Sequence, residues 1–157
     1  MKKLLLILLC LPLLFNSCKK DDGQEPYVET SSSITQILIE VDGFENLDGN
    51  LAIAINNNSE QFSSNTESYK DTIVDVVANN MTITIEGIVP GTYAISVFHD
   101  EDKDGELDLS GLLGIPSEGF GFSNNPTIGF SQPEFNDCDF VIEENQNITV
   151  PIVLVYL

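Results

Sequence analysis

The chain has 157 residues, with six lysines and no arginine against 25 aspartates and glutamates, a formal charge of −19. Such a surface repels phosphate backbones, so nucleic-acid binding is excluded, while divalent cations are natural counter-ions. A single histidine, His99, leaves one imidazole base at most and disfavours zinc or another soft metal.

The opening MKKLLLILLCLPLLFNSC has two lysines, an apolar run from Leu4 to Phe15, then small and polar residues leading to Cys18. This is the three-part plan of a secretory signal peptide over residues 1–17. The run is about half of the ~20 residues that a bilayer-spanning helix needs, which argues against a permanent transmembrane anchor. FNSC resembles a bacterial lipoprotein box in a loose form. That resemblance implies cleavage before Cys18 and acylation of its thiol and new amino group; Cys10, inside the apolar run, is a poor second choice. The following KKDDG resembles the acidic tethers of surface lipoproteins in the Bacteroidetes group, which implies a cell-envelope protein on the outer membrane, exposed at the surface. Several acyl chains make such a membrane partnership stable, each buried methylene adding about 0.8 kcal/mol.

Loss of residues 1–17 removes Lys2 and Lys3, leaving four lysines against 25 acidic residues and a formal charge of −21. Cys138 is then the only cysteine not removed or acylated, so no internal disulfide is available. It lies between Asp137 and Asp139 with no cationic neighbour to lower its pKa, and reads as a small buried side chain. Residues 18–34 are polar, with a proline and a serine run, and read as a flexible tether.

From residue 35 to 157 the pattern is β throughout. In TQILIEVDG, Ile37, Ile39 and Val41 alternate with Gln36, Leu38 and Glu40. NLAIAIN places Leu51, Ile53 and Ile55 on one face and Ala52 and Ala54 on the other. DTIVDVVA follows, then NMTITIEG, which alternates Met81, Ile83 and Ile85 with Thr82, Thr84 and Glu86. GTYAISVFHD sets Tyr93, Ile95 and Val97 against Ala94, Ser96 and Phe98. NITVPIVLVYL puts Ile148, Val150, Ile152, Leu154 and Tyr156 on one face, and Pro151 marks it as an edge strand or a bulge. Period-2 alternation with Gly, Asn and Asp punctuation predicts a single antiparallel β-sandwich, and no segment shows an amphipathic helix. IEGIVPGTYAISVFHD resembles the transthyretin-like or carboxypeptidase-regulatory class of sandwich, which ranks above a generic immunoglobulin-like topology.

HDEDKDGELD (His99 to Asp108) is the sharpest chemical signal. Calcium takes about six to eight oxygen ligands, and the EF-hand loop supplies them from positions 1, 3, 5, 7, 9 and 12 with glycine at 6. Counted from Asp100, Asp102 and Asp104 stand at 3 and 5, Gly105 at 6, Glu106 at 7 through its carbonyl, and Asp108 at 9. Position 12 is Gly111, so the bidentate glutamate is missing, and a strand rather than a helix precedes the loop. Glu118 is one candidate to complete the set. The other reading is an acidic turn in which aspartates cap backbone amides and Gly105 supplies a positive φ. His99 beside Asp100 invites a catalytic reading, but none of Ser96, Ser110, Ser117 and Ser123 lies in a G-x-S-x-G elbow. We therefore expect a non-enzyme.

Residues 109–136 fit no strand: five glycines, three prolines and four phenylalanines. A connection of this length is a structured or functional excursion. Its aromatics either cover one end of the sandwich or line a groove. In the second case Phe120, Phe122, Asn124, Asn125 and Phe130 would recognise a glycan or an envelope protein.

The stretches PGTYAISVFHD (Pro90–Asp100), DGELD (Asp104–Asp108), GIPSEGFGFSNN (Gly114–Asn125) and FNDCDF (Phe135–Phe140) resemble, in order, the signature of a family of small bacterial envelope proteins classed as a domain of unknown function. The resemblance implies a β-sandwich and an extracytoplasmic place, and carries no activity. The family loop often has asparagine where Asp102 and Asp104 stand here, so a metal site would be an elaboration on a shared turn.

Overall fold

The computed structural model describes residues 35–64, 67–129 and 131–157. The signal segment, Cys18, the tether and Phe130 lie outside the described residues. In chain order the elements are β1 (Gln36–Asp42), β2 (Asn50–Asn56), α1 (Ser59–Ser64), β3 (Lys70–Asp75), β4 (Asn80–Glu86), β5 (Gly91–Asp100), β6 (Leu109–Ser110), β7 (Ile115–Pro116), β8 (Phe120–Phe122), α2 (Phe135–Cys138), β9 (Phe140–Ile142) and β10 (Asn147–Val153).

Two sheets form an all-β sandwich. One runs β10–β1–β4; the other runs β3–β2–β5–β8, with β9 pairing the start of β5. Most pairs are antiparallel. The exception is β1 with β10, which run parallel from Gln36 opposite Asn147 to Asp42 opposite Val153. As Pro151 predicts, β10 is an edge strand, so its missing N–H costs no ladder bond.

The alternating residues meet between the sheets. Ile37, Ile39 and Val41 of β1, Leu51, Ile53 and Ile55 of β2, Tyr93, Ile95 and Val97 of β5, and Val150 and Ile152 of β10 form one aliphatic core. Each such side chain contributes about 1.5–3 kcal/mol on burial.

The second sheet is covered on its outer face too. Ala94 of β5 and Phe120 and Phe122 of β8 pack with Phe62 of α1 and with Phe135 and Cys138 of α2. Both helices are departures from the all-β expectation. At six and four residues they are too short to show a helical period, and each is held by local caps. The Asn58 side chain accepts the Gln61 N–H at 2.9 Å, and Glu134 and Asp137 form a reciprocal capping box.

Gly121 lets β8 close against β10. A Cβ there would stand 2.7 Å from Ile152 Cγ2 and 3.1 Å from the Val153 carbonyl. Beside it, Phe120 and Val155 exchange backbone hydrogen bonds of 3.1 and 2.8 Å, joining the two sheets at this edge. Among the described residues no helix is long and apolar enough to cross a membrane.

Candidate functional site

The acidic loop starts where β5 ends, at the end of the sandwich where the 43–49 connection enters β2. Asn50 stands opposite Asp100 in the sheet, and Gly49 (φ +73) backs directly onto the Asp100 carbonyl, 2.0 Å from where a Cβ would be. Only glycine fits that contact.

Within the loop each carboxylate near the backbone accepts a peptide N–H. Asp100 Oδ1 takes that of Asp104 and Oδ2 that of Gly105, both at 3.1 Å. Asp102 Oδ1 shares the Asp104 N–H at 3.2 Å, and Asp104 Oδ1 accepts from Glu106 at 2.8 Å. Lys103 (φ 65) and Gly105 (φ 84) provide the left-handed turns this wrapping needs. These are the contacts of the acidic-turn reading.

The excursion brings a third carboxylate. Glu118 Oε1 accepts the Glu101 N–H at 2.7 Å and Oε2 the Asp108 N–H at 3.0 Å, so one side chain pins both ends of the loop. Ligand atoms of Asp100, Asp102 and Glu118 then lie within 4.8 Å of one another. Asp100 is 1 % exposed and Glu118 5 %, whereas Asp102 is open to solvent. The remaining sequence candidates, Asp104, Glu106 and Asp108, are exposed and do not join that group. Asp104 accepts the Glu106 N–H within its own turn, and Asp108 serves through its backbone. The EF-hand spacing thus overstates how many carboxylates converge, because this loop lacks the helix that would fold its later positions back.

No lysine reaches this cluster among the described residues. Lys103 pairs with Asp75 at 2.8 Å, an exposed contact that lowers the Asp75 carboxyl pKa through its hydrogen bond and charge. Lys70 donates to the Glu86 carbonyl at 2.7 Å.

His99 is wholly buried and fully engaged. Its Nε2 lies 2.6 Å from the Asp48 carbonyl, which only accepts, so this nitrogen carries the proton. Nδ1 of the neutral ring accepts from the Tyr156 hydroxyl at 2.7 Å. Burial, ahead of the charges of Glu101, Glu45 and Glu118, raises the Tyr156 pKa, partly offset by the Glu45 N–H that the hydroxyl accepts. Phe44 stands edge-on to the imidazole. The ring closes the strand end and ties the 43–49 connection to the C-terminal segment; none of the four serines weighed above bonds to it.

The described groove candidates are tied into the fold, and Phe122 and Asn125 also line a small surface cavity with Pro126, Ile128 and Val155. Phe120 and Phe122 are 6 % and 8 % exposed and pack in the outer aromatic cluster. Asn124 donates to the Asp139 carbonyl at 2.7 Å. Asn125 works as a one-residue strand, donating to the Pro151 carbonyl at 3.0 Å and accepting the Val153 N–H at 2.8 Å along the free edge of β10. Both asparagines hold positive φ, 64° and 46°. Cys138, the last residue of α2, is buried, and burial, with Asp137 and Asp139 adding to it, pushes its thiol up to about 12.

A sequence profile of the bacterial family described as "Uncharacterized protein conserved in bacteria (DUF2141)" matches residues 39–150. Neither a curated protein nor a solved structure matches the chain significantly.

Proposed function

The chain belongs to that uncharacterised bacterial family, and from there we propose that it is a lipid-anchored, extracytoplasmic, non-enzymatic module whose loop at Asp100 is stabilised by calcium. The family carries no assigned activity. Support for the anchor comes from the N-terminal pattern ending at Cys18. One observation carries the calcium reading: two buried carboxylates, Asp100 and Glu118, face each other and Asp102 with no cationic side chain among them. Each of their oxygens uses one lone pair on a backbone N–H and keeps another for a cation. Like charges this close repel unless a cation intervenes. With three carboxylates, carbonyls and water as its ligands, the site suits a hard ion held weakly.

Asp102→Asn is the clean test, because asparagine keeps the bond to the Asp104 N–H while losing the charge. Wild type is expected to gain melting temperature in millimolar calcium. A ligand at about 100 times its Kd adds about 2.7 kcal/mol, worth roughly 5–10 °C for a domain of this size. The Asp102→Asn protein should fold equally well without calcium and gain far less with it. Calorimetry showing no heat and melts showing no shift for wild type would reduce the loop to an acidic turn.

A further inference from the structure

The acidic loop leads into a hairpin with a different chemistry. Leu109 pairs with Pro116 and Ser110 with Ile115, and between them Gly111 (φ 70) and Gly114 (φ 62) turn the chain around Leu112 and Leu113. Leu112 is 102 % exposed and Leu113 83 %, with Leu109 and Ile115 also open to solvent. Among the described residues nothing covers Leu112, and little covers Leu113. A soluble surface seldom leaves such a group without use.

The hairpin is held in place rather than loose. Its base is tied by the Ser117 N–H to the Asp108 carbonyl at 2.9 Å and by Glu118 to the Asp108 N–H. From residue 109 to 116, LSGLLGIP, there is no charged residue, although one residue in five of the chain is charged. Acidic side chains resume at Asp108 on one side and, past Ser117, at Glu118 on the other. The tip is convex, so a protein partner would need a matching pocket, whereas the acyl region of a lipid surface accepts any apolar projection.

Geometry allows the same membrane to be reached. β1 starts at the opposite end of the sandwich from this hairpin, and its seven residues span about 23 Å. Residues 18–34, between Cys18 and the domain, can extend to about 60 Å. In the anchored protein several acyl chains already hold Cys18 in the membrane, so an apolar tip on the same chain meets that surface at high local concentration and needs little affinity of its own.

We infer that the 109–116 hairpin is a second membrane contact, dipping Leu112 and Leu113 into the interface of the lipid surface that holds Cys18. The inference rests on the anchored reading above. Flanking carboxylates limit the depth to the headgroup boundary and favour zwitterionic over anionic lipid.

The chain contains no tryptophan, so Leu112→Trp in the full, acylated protein places a single reporter at the tip. The protein is reconstituted in phosphatidylcholine vesicles; flotation reads the anchor, and tryptophan emission with quenching by brominated lipid reads the hairpin. We expect emission shifted to shorter wavelength, quenched by brominated lipid, and returned to its value in water when Leu113→Asp is added. Flotation with emission unshifted and unquenched would overturn the hairpin contact and leave the anchor standing. Failure to float would sink both. A shift that appears without vesicles and grows with protein concentration would assign the tip to a second copy of the chain instead, and overturn the inference.

Discussion

The two faces of β5 end in different kinds of core. Tyr93, Ile95 and Val97 point into a layer built mainly from strands, with Phe44, Val76, Ile88 and Leu154 added from outside them, nearly all of it isoleucine, valine and leucine. Ala94, on the opposite face, lies under phenylalanines delivered by two short helices and by the excursion. The first layer is closed by sheet ladders on both sides and can open only if the sandwich opens. The second is a lid: α1 and α2 contribute few backbone bonds of their own and can lift while the ladders persist. Burial is similar in the two; what differs is how much of the molecule must move to expose it.

The contrast is broken most directly at Ile39, fully buried in the central strand of its sheet. Ile39→Ala should cost about 2–5 kcal/mol, appearing in a single cooperative transition that weakens protection of every strand. Phe62→Ala removes the residue that meets both Phe122 and Phe135 edge-on or tilted. Its cost should be no more than about 3 kcal/mol, the low end for a phenylalanine truncation, because the lid opens before the sandwich does. Hydrogen exchange should then quicken in α1 and α2 while β1, β2 and β5 keep their protection. Equal loss of protection throughout would mean that the two layers are one cooperative unit.

The same contrast separates what was legible in the sequence from what was not. The long strands of the inner layer announce themselves through alternation, since a strand half-buried against another sheet must alternate; three-residue β9, which adds Ile142, is too short to do so. Pro151 marks an edge because a central ladder has no place for it. Parallel pairing of β1 with β10 left no local trace: the partners are separated by more than a hundred residues, and either strand direction satisfies the same alternation. The outer layer left even less. Phe62 is the one buried residue of α1, and the phenylalanines of the excursion look alike whether they cover a sheet or line a groove. At the loop, Asp100 and Asp102 stood out through their spacing. Glu118, a carboxylate of the following segment and a candidate to complete the set, joins Asp100 and Asp102; its use as a clamp depends on a return of the backbone that spacing alone does not encode.

Cys138 offers the smallest and most local test, since it reports whether the outer layer is sealed. Burial holds its thiol at about 12 against an ordinary value of 9.0. Below pH 9 the folded and unfolded chains both keep the proton, so the thiol contributes equally at every pH. As pH rises from 9 towards 12, only the unfolded chain ionises, and stability must fall. Tyr93, raised from 10.0 to about 12 by burial and by Tyr69, adds the same kind of loss from pH 10 upward, but from the inner layer. Cys138→Ala should cost about 1 kcal/mol at neutral pH, as a small cavity does, and should delay the alkaline decline until Tyr93 begins it. Thermal melts at pH 8, 9 and 10 would separate the two steps. If the alanine variant tracked wild type in parallel through that window, the thiol would be titrating in water in both states. The lid over β5 would then be open often enough that the outer layer is no second core at all.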